Sequence, residues 1–314
     1  MDAPQIAVVG PGAMGLLWGL KLLKAGCGVT FVDHRAARAR KLMEEGVTLE
    51  LDGRSEKFEI RVVLPDFPIE RVDLLFVSVK SHSTASAIEP LRPAIGLDTA
   101  VVSLQNGLEH IEPLREAAGL QRLVLGVTSM GANCPKAGTV VHAGNGPTLV
   151  GALADAGAKT AERAAEILAR TGFDVKTAGR IMARIWEKLA INAAINPLTA
   201  IHDVSNRRIA EDDALRERAI ALMRECVKVA EVEGYELDYA EMEKRLLEVA
   251  RRTGDNISSM LQDVRAGRRT EIEAINGAVL RIARRRHVKC PQNEKALAEV
   301  IERAAPKSME EIRR

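Results

Sequence analysis

The stretch Ile6-Ala7-Val8-Val9-Gly10-Pro11-Gly12-Ala13-Met14-Gly15 decides the fold of this chain. Four apolar residues predict a buried β-strand, and the pattern Gly-x-Gly-x-x-Gly then leads into a helix. Gly10 permits a tight turn, Gly12 lets a pyrophosphate approach the backbone, and Gly15 allows close packing of helix on strand. The N-terminus of the helix attracts the phosphate charge. The pattern predicts a dinucleotide-binding site, and a glycine turn without a ligand is the alternative.

Short apolar runs alternate with helical patterns from this loop as far as residue 178. The predicted strands are continuous runs of Val, Leu and Ile, as expected for parallel strands covered on both faces. They lie at 6–9, 29–32, 74–79, 100–104 and 123–127, with helical patterns at 13–26, 35–46, 84–92, 107–118 and 158–171. A further strand is predicted at 173–176. This alternation predicts an open parallel sheet with right-handed crossovers. Short strands at 139–142 and 148–150 are expected to close the sheet.

The pattern changes after Gly179, where strand signals give way to helical ones. Helices are predicted at 181–195, 211–233, 239–252, 257–265, 269–286 and 292–304. We therefore predict an α/β fold with two domains, a Rossmann-type parallel-sheet domain over 1–179 and an all-α domain over 180–314. Substantial strand content between 185 and 300 would contradict this prediction.

Composition excludes several classes of function. The chain has 314 residues with 45 basic and 43 acidic side chains, so its net charge of +2 offers no large basic face to nucleic acid. The four cysteines are scattered, which argues against a metal framework or disulfide ladder and fits a reducing cytoplasm. No apolar run is long enough for a membrane helix, and no signal peptide is expected. We interpret the basic run at 284–286 as a solvated helix face, with an anion-binding site as the alternative.

The end of the second predicted strand, Asp33-His34-Arg35, bears on the choice of dinucleotide. An acidic side chain there accepts the ribose hydroxyls of NAD, whereas a nearby arginine accommodates the 2′-phosphate of NADP. Both signals are present because Arg35 and Arg38 follow the aspartate. Arg38 is equally typical of a solvated helix residue.

Two further loops follow predicted strands, with Lys80 in one and Asn106 in the other. Ligands bind at the carboxyl ends of the strands in open α/β sheets, so both side chains are candidates for ligand contacts. Ordinary exposed loop residues are the alternative for each.

Three polar residues, Lys188, Asn192 and Asn196, follow one another at intervals of four in an otherwise apolar helix. This spacing places them on one helix face, and polar groups in a buried helix need hydrogen-bonding partners from protein or ligand. A solvent-facing stripe is the alternative, although Ala and Ile cover most of the other faces. Pro197 is expected to end or kink this helix, since it cannot donate a backbone hydrogen bond.

A second polar set lies near the C-terminus, in Ser258-Ser259-Met260-Leu261-Gln262-Asp263 and in Arg269-Thr270-Glu271-Ile272 with Asn276-Gly277. Together with the earlier motifs, these make the sequence resemble the ketopantoate reductase (2-dehydropantoate 2-reductase) family over nearly its full length. The matching segments follow in order: Gly10–Gly15, Lys80, Gln105-Asn106-Gly107, Lys188 through Asn-Pro-Leu-Thr-Ala at 196–200, and the two C-terminal motifs. Ser258 alone is also typical of a helix cap.

The resemblance implies NADPH-dependent reduction of ketopantoate to D-pantoate, a step towards pantothenate and coenzyme A, by a monomer or homodimer. It implies that Lys188 is the general acid and that Glu271 orients it. The implied substrate contacts are Asn106, Asn192, Asn196, Asn206 and Ser259. The implied cofactor contacts are Gly10, Gly12, Ala13, Met14, Gly15, Asp33, His34, Arg35, Lys80 and Asn106.

One position departs from the family pattern. The family commonly has an arginine where this chain has His34, and here Arg35 is displaced by one, so NADH is an alternative to NADPH. Two other functions stay open: a reductase of a different 2-keto or imino acid, and a non-catalytic NAD(P)-sensing protein. A sensing protein would need neither Lys188 nor Glu271, so their presence favours an enzyme.

Overall fold

The computed structural model describes residues 3–69 and 72–305. Its contacts divide the chain into two compact units. The first contains the residues up to Gln105 together with Glu109–Ile181, and the second contains Asn106–Leu108 together with the residues from Met182 onward. The sequence pattern does not indicate that Asn106–Leu108, which follow the predicted strand at 100–104, belong to the second unit.

The first unit contains twelve strands and five α-helices within its described residues. The strands are β1 Gln5–Val9, β2 Gly28–Val32, β3 Val47–Leu51, β4 Arg54–Phe58, β5 Arg61–Val63, β6 Leu74–Val77, β7 Ala100–Ser103, β8 Leu123–Thr128, β9 Gly131–Lys136, β10 Thr139–Gly144, β11 Thr148–Ala152 and β12 Val175–Thr177. The helices are α1 Ala13–Lys24, α2 Ala36–Glu45, α3 Thr84–Ile88, α4 Ile111–Ala118 and α5 Ala158–Ala169.

The main sheet has eight strands in the order β12-β11-β8-β7-β6-β1-β2-β5. All neighbours pair in parallel except β8 and β11, which pair antiparallel. The chain runs outward from β1 through β2 to β5 and then returns to β6 on the other side of β1. Such a reversal of strand order opens a crevice at the carboxyl ends of the strands, where ligands bind. The predicted Rossmann-type sheet is confirmed.

A second sheet of four strands, in the order β4-β3-β10-β9, departs from the prediction. The strand at 139–142 was expected to close the main sheet, but it forms β10 and pairs with β3 and β9 instead. The hairpin of β3 and β4 was not predicted at all, because β4 is charged and mostly exposed. Its turn, Asp52-Gly53, has φ values of 49° and 73°, as a two-residue hairpin turn requires. The Asp-Gly pair was the available signal.

The second unit is helical, with no strand among its described residues, as predicted. Its helices are α6 Ile181–His202, α7 Arg207–Glu211, α8 Asp213–Val232, α9 Tyr239–Arg252, α10 Ser259–Arg265, α11 Ala278–Arg285 and α12 Pro291–Ala304. One turn of π-helix, Glu273–Gly277, leads into α11, and we call it the π-turn. Turns of this kind widen the helix locally and are frequent at functional sites.

Helix α6 lies in the centre of the second unit's core, where Ala190, Ala193 and Ala194 are fully buried. A helix that is apolar on nearly every face is buried on all sides. Pro197 was expected to end or kink α6, but the helix continues through it to His202. The carbonyl that Pro197 leaves without a helical partner receives a hydrogen bond from another segment, as described below.

Two findings concern the surface and the membrane. Within residues 3–69 and 72–305, none of the helices is both long enough and apolar enough to cross a bilayer. In the basic run, Arg284 pairs with Glu294 at 3.9 Å and Arg286 pairs with Glu233 at 2.6 Å, as expected for a solvated helix face.

Candidate active site

The first and third glycines of the loop Gly10–Gly15 are required by packing. Gly10 has a φ of +89°, and a Cβ atom there would lie 2.6 Å from Cγ1 of Val79. A Cβ atom on Gly15 would lie 2.2 Å from the carbonyl oxygen of Gly10. Both distances are shorter than any real contact, so side chains at these positions would force β1, α1 and the loop after β6 apart.

Gly12 differs because nothing lies within 4 Å of the Cβ atom that it lacks. It precedes the first residue of α1, Ala13, and no side chain caps this helix N-terminus. Uncapped N–H groups in the first turn carry a partial positive charge. Open space beside such a terminus fits the pyrophosphate of a dinucleotide, with Ala13, Met14 and Gly15 in the first turn.

Asp33, which follows β2, is buried and already has partners. Its carboxylate accepts a hydrogen bond from the backbone N–H of Arg35 at 3.0 Å and from Nε of Arg38. His34 and Arg35 are exposed, and His34 Nδ1 lies 3.8 Å from Asp33. The sequence left Arg38 undecided between a cofactor contact and a solvated residue. The structure pairs it with Asp33, an interaction that the five-residue spacing did not reveal.

The loops after β6 and β7 are tied together by Gln105. Its Nε2 donates to the carbonyl of Val79 at 2.7 Å and to Oγ1 of Thr84 at 2.8 Å, while its Oε1 accepts from Ser103. Lys80, in the first of these loops, is exposed. The side-chain amide of Gln105 therefore fixes the end of β7 immediately before the candidate residue Asn106.

The segment Asn106–Leu108 packs in the second unit against the π-turn. Gly107 has a φ of +81°, and a Cβ atom there would lie 2.2 Å from the carbonyl oxygen of Ala274. The N–H of Leu108 lies within 3.4 Å of the same oxygen. Glycine is needed at 107 both for its backbone conformation and for this close approach. The contact places Asn106 in the unit that contains Lys188 and Glu271.

Lys188 lies on α6 and is half-buried. Burial lowers its pKa from 10.5 to about 8, and the carboxylate of Glu271 acts in the opposite direction. The nearer carboxylate in sequence, Glu187, is engaged elsewhere: it pairs with Arg184 at 2.9 Å and with Arg245 at 2.8 Å. The structure thus brings the two predicted catalytic residues together, although 83 positions separate them in the sequence.

Asn192 and Asn196 continue the polar face of α6 beyond Lys188. Asn192 is half-buried and Asn196 is 8% exposed. Within residues 3–69 and 72–305, neither side-chain amide hydrogen-bonds to another protein group. Buried amides are normally hydrogen-bonded, so these two are free to bind a polar ligand.

The remaining predicted substrate residues are placed differently. Ser258 caps α10 by accepting from the N–H of Leu261 at 3.1 Å, the alternative that the sequence raised for it. Ser259 is exposed at the first position of α10. Asn206 is 8% exposed and its Nδ2 donates to Oγ1 of Thr253 at 2.8 Å, so it ties α7 to the end of α9. Substrate contacts by Ser259 and Asn206 stay predictions.

The described part of the chain contains no set of side chains that could form a metal centre. No group of three or more His, Cys, Asp or Glu side chains there could hold a metal ion. The polar groups on α6 and around the π-turn are instead a cation, amides and a carboxylate. Such a set suits a small molecule that carries a carboxylate and a polar carbonyl.

Two family models match the chain. Residues 6–155 match the model described as "Ketopantoate reductase PanE/ApbA". Residues 180–304 match "Ketopantoate reductase PanE/ApbA C terminal". The two matches together cover most of the first unit and nearly all of the second.

Two curated relatives that cover nearly the whole chain carry the same name. The chain is 37% identical over 298 residues to a 2-dehydropantoate 2-reductase from Archaeoglobus fulgidus, covering 95% of this chain and 97% of that protein. It is 32% identical over 305 residues to a 2-dehydropantoate 2-reductase from Escherichia coli O157:H7, covering 95% and 94%.

Solved structures of similar chains share the fold. A ternary structure of D-mandelate dehydrogenase with NADH and anilino(oxo)acetate is 27% identical and has a TM-score of 0.91, covering 96% of this chain and 98% of that one. The 2-dehydropantoate 2-reductase of Geobacter metallireducens is 26% identical and has a TM-score of 0.86, covering 95% and 99%.

The glycine loop yields a test that separates a ligand contact from packing. Gly12→Ala places a methyl group in open space, so the thermal unfolding midpoint should stay near that of the wild type. The same methyl group should weaken binding of a nicotinamide dinucleotide by about tenfold or more, because it occupies the approach to the helix N-terminus. Gly15→Ala is the matched control and should lower the unfolding midpoint. Unchanged affinity of a folded Gly12→Ala for both NADPH and NADH, measured by fluorescence titration, would rule out this loop as the pyrophosphate site.

Proposed function

Because the chain belongs to the ketopantoate reductase family, we propose that it reduces ketopantoate to D-pantoate with NADPH, a step towards pantothenate and coenzyme A. One observation carries the proposal. Lys188, with a lowered pKa and Glu271 as its carboxylate partner, shares a helix face with two asparagine amides that have no partner within the described residues. We propose residues 1–179 as the cofactor-binding domain and 180–314 as the catalytic domain.

Ketone reduction needs a proton donor as well as a hydride. When bound, a reduced nicotinamide would supply the hydride for the keto carbon, and the carbonyl oxygen of the substrate must gain a proton from the protein or from solvent. We assign this proton to the Lys188 ammonium group, which also stabilises the negative charge that develops on the oxygen. Lys188 becomes a neutral amine and regains its proton from solvent.

The lowered pKa suits this role. A lysine with its ordinary pKa of 10.5 holds its proton strongly, whereas a pKa of about 8 leaves Lys188 charged at neutral pH and a better acid. Burial makes the charged form less favourable, and Glu271 keeps it populated. Glu271 is therefore the residue that maintains the acid in its protonated form.

The substrate is recognised by asparagine side-chain amides and by the hydroxyl group of Ser259. We propose that Asn192 and Asn196 hydrogen-bond the carboxylate and hydroxyl groups of the substrate, because their amides have donors to offer. We assign supporting contacts to Asn106, Asn206 and Ser259. Lys80 is assigned to the cofactor.

We propose that the Asp33–Arg38 pair shifts the cofactor preference towards NADPH. An unpaired carboxylate at Asp33 would accept the ribose hydroxyls of NAD and repel a 2′-phosphate. Here Arg38 neutralises that carboxylate, and its own side chain stays 36% exposed. Arg35, next along the chain, adds a second exposed cation. The dinucleotide site thus favours NADPH, but by less than the family norm because Asp33 is retained.

The proton-donor assignment predicts an alkaline limit to activity. Lys188 must be charged to donate, so kcat/KM for ketopantoate should fall as pH rises through about 8. Glu271→Gln removes the charge that raises the pKa of Lys188, so the falling limb should move to lower pH. An initial-rate pH series on both proteins checks this. The assignment fails if kcat/KM of Glu271→Gln falls over the same pH range as kcat/KM of the wild type.

Replacing the acid should cost rate but not folding. Lys188→Met should lower kcat by roughly 10²–10⁴-fold, the usual loss when a general acid is removed. Burial opposes its charge, so the thermal midpoint should not fall. Adding Glu271→Gln should cost much less than the product of the two single losses, because the pair acts as a unit. If the two residues instead form a structural ion pair, Lys188→Met will melt early yet turn over normally.

Two arginine variants test the cofactor proposal through binding alone. Arg38→Ala should weaken NADPH and strengthen NADH, since it removes a cation and frees the Asp33 carboxylate. Arg35→Ala should weaken NADPH and leave NADH nearly unchanged. Fluorescence titration of each variant with NADPH and with NADH gives the two dissociation constants, and their ratio measures the cofactor preference. Equal changes for NADPH and NADH would show that neither arginine reads the 2′-phosphate.

A second candidate is a reductase of a different 2-keto acid, favoured by the likeness to D-mandelate dehydrogenase. A turnover panel of ketopantoate, benzoylformate and several aliphatic 2-keto acids, each with NADPH and with NADH, distinguishes the two. We expect kcat/KM to be highest for ketopantoate with NADPH. A preference for benzoylformate would replace the proposed substrate, and the absence of turnover with every keto acid would favour a sensing protein.

A further inference from the structure

Asn276, in the motif Asn276-Gly277, has no place in the chemistry proposed above, yet it is fully buried. It lies within the π-turn, and its Nδ2 donates two hydrogen bonds. One goes to the backbone carbonyl of Ala193 on α6 at 3.0 Å, and the other goes to Oδ1 of Asn293 on α12 at 2.9 Å. The side chain thus connects three segments of the second unit.

The bond to Ala193 replaces a missing helical bond. In an α-helix, the carbonyl of residue 193 accepts from the N–H of residue 197, but Pro197 has no N–H. An unsatisfied carbonyl buried at this point would cost about 1–3 kcal/mol. Asn276 supplies the absent donor, which explains how α6 continues through Pro197.

The π-turn holds Glu271 by its backbone, since the N–H of Ile275 donates to the carbonyl of Glu271 at 3.0 Å. The carbonyl of Ala274, in the same turn, contacts the segment that begins with Asn106. Backbone hydrogen bonds thus connect the π-turn both to Glu271 and to the segment 106–108. Asn276, in the same turn, bonds to α6, the helix of Lys188.

Asn276 is itself held from the other side. Nδ2 of Asn293 donates to the carbonyl of Leu222 at 3.1 Å and to Oε2 of Glu225 at 2.8 Å. Glu225 also accepts from the backbone N–H groups of Gln292 and Asn293 at the start of α12. The position of Asn276 is therefore supported by a network that contains the partly buried carboxylate of Glu225 and ends on α8 and α12.

The combination of Pro197 and Asn276 leaves a buried polar atom unpaired, so a contribution to stability alone does not explain it. Oδ1 of Asn276 is buried and has no hydrogen-bond partner among the described residues. An alanine at 197 would satisfy the carbonyl of Ala193 through its own N–H. An apolar side chain at 276 would then remove the unpaired Oδ1, and Oδ1 of Asn293 would keep the thiol of Cys226, at 3.6 Å, as a donor.

We propose that Asn276 is a positioning residue: its bond to the carbonyl of Ala193 fixes the π-turn in register on α6 and so sets the placement of Glu271 relative to Lys188. This inference rests on the proposed function for its catalytic consequence only. The alternative is that Asn276 merely satisfies the carbonyl that Pro197 leaves open.

The test combines Asn276→Leu, of similar volume, with Pro197→Ala. Asn276→Leu should lower kcat by about 10- to 100-fold with little change in KM, since small misplacements have such costs. It should also lower the unfolding midpoint, because the carbonyl of Ala193 loses its donor. Adding Pro197→Ala supplies that donor, so the double variant should regain the part of the stability that depends on the carbonyl of Ala193, but not kcat. Recovery of both would show that Asn276 only satisfies the carbonyl.

A second readout follows Lys188 without any substrate. Labelling of its neutral amine by acetic anhydride across a pH series, read by peptide mass spectrometry, gives the midpoint of its titration, near 8 in the wild type. On the side of the π-turn, the charged group that raises the pKa of Lys188 is Glu271. On α6 itself, the neighbouring carboxylate of Glu187 is paired with Arg184 and Arg245. Displacing Glu271 should therefore lower the midpoint in Asn276→Leu, with or without Pro197→Ala. A midpoint equal to that of the wild type in Asn276→Leu overturns the proposal.

Thr199→Val is the matched control. Thr199 is a fully buried residue on the same helix, and its hydroxyl donates to Ser258 at 2.7 Å rather than to the π-turn. It should lose stability without moving the Lys188 midpoint, and a shift as large as that of Asn276→Leu would contradict a specific role. If the wild type does not reduce ketopantoate but the midpoint moves in Asn276→Leu alone, the proposed function fails and the positioning role stands.

Discussion

A polar group buried in protein must find a hydrogen-bond partner, and this requirement organises the second unit around α6. The helix is apolar on most faces and lies in the core, so each of its polar groups is under the same constraint. Thr199 meets it through Ser258 and through carbonyls of its own helix. The carbonyl of Ala193 meets it through Asn276. The amides of Asn192 and Asn196 do not meet it within the described residues, and this difference supports the proposal that they bind a ligand.

The same division between satisfied and open groups applies in the first unit. Gly10 and Gly15 lack side chains because the backbone and Val79 leave no room, whereas Gly12 faces open space at a helix N-terminus. Position in the motif does not reveal which glycine serves packing and which admits a ligand. Asp33 is likewise not an open acceptor, since Arg38 and a backbone N–H already occupy its carboxylate.

The sequence predicted those parts of the fold that depend on local hydrophobic patterns. Continuous apolar runs located the central strands, and the helical period located α8, α9 and α12 within a few residues. The hairpin of β3 and β4 was missed because β4, Arg54–Phe58, is exposed and highly charged, so its pairing is set by the Asp52-Gly53 turn rather than by burial. The continuation of α6 through Pro197 was missed because its compensating donor is remote in sequence.

In the candidate site, too, features that depend on nearby residues could be predicted from the sequence, whereas contacts between distant residues could not. The face shared by Lys188, Asn192 and Asn196 follows from spacing alone, since all three lie on one helix. The association of Lys188 with Glu271, and of Gly107 with Ala274, joins residues far apart in the chain. Spacing contains no signal for such contacts, and only the family resemblance indicated the first of them. The Asp33–Arg38 pair was missed for a different reason, because a helix arginine near an aspartate is common without any contact.

The acid strength of Lys188 depends on these remote contacts. Burial on α6 lowers its pKa, and Glu271 opposes that effect from a different segment. The first contribution is set by the packing of α6, but the second depends on how closely the π-turn is held to that helix. In a medium of low polarizability, the attraction between two charges changes steeply with distance. The proposed proton donor therefore requires a fixed connection between the two segments, and the hydrogen bond from Asn276 to the carbonyl of Ala193 spans them directly.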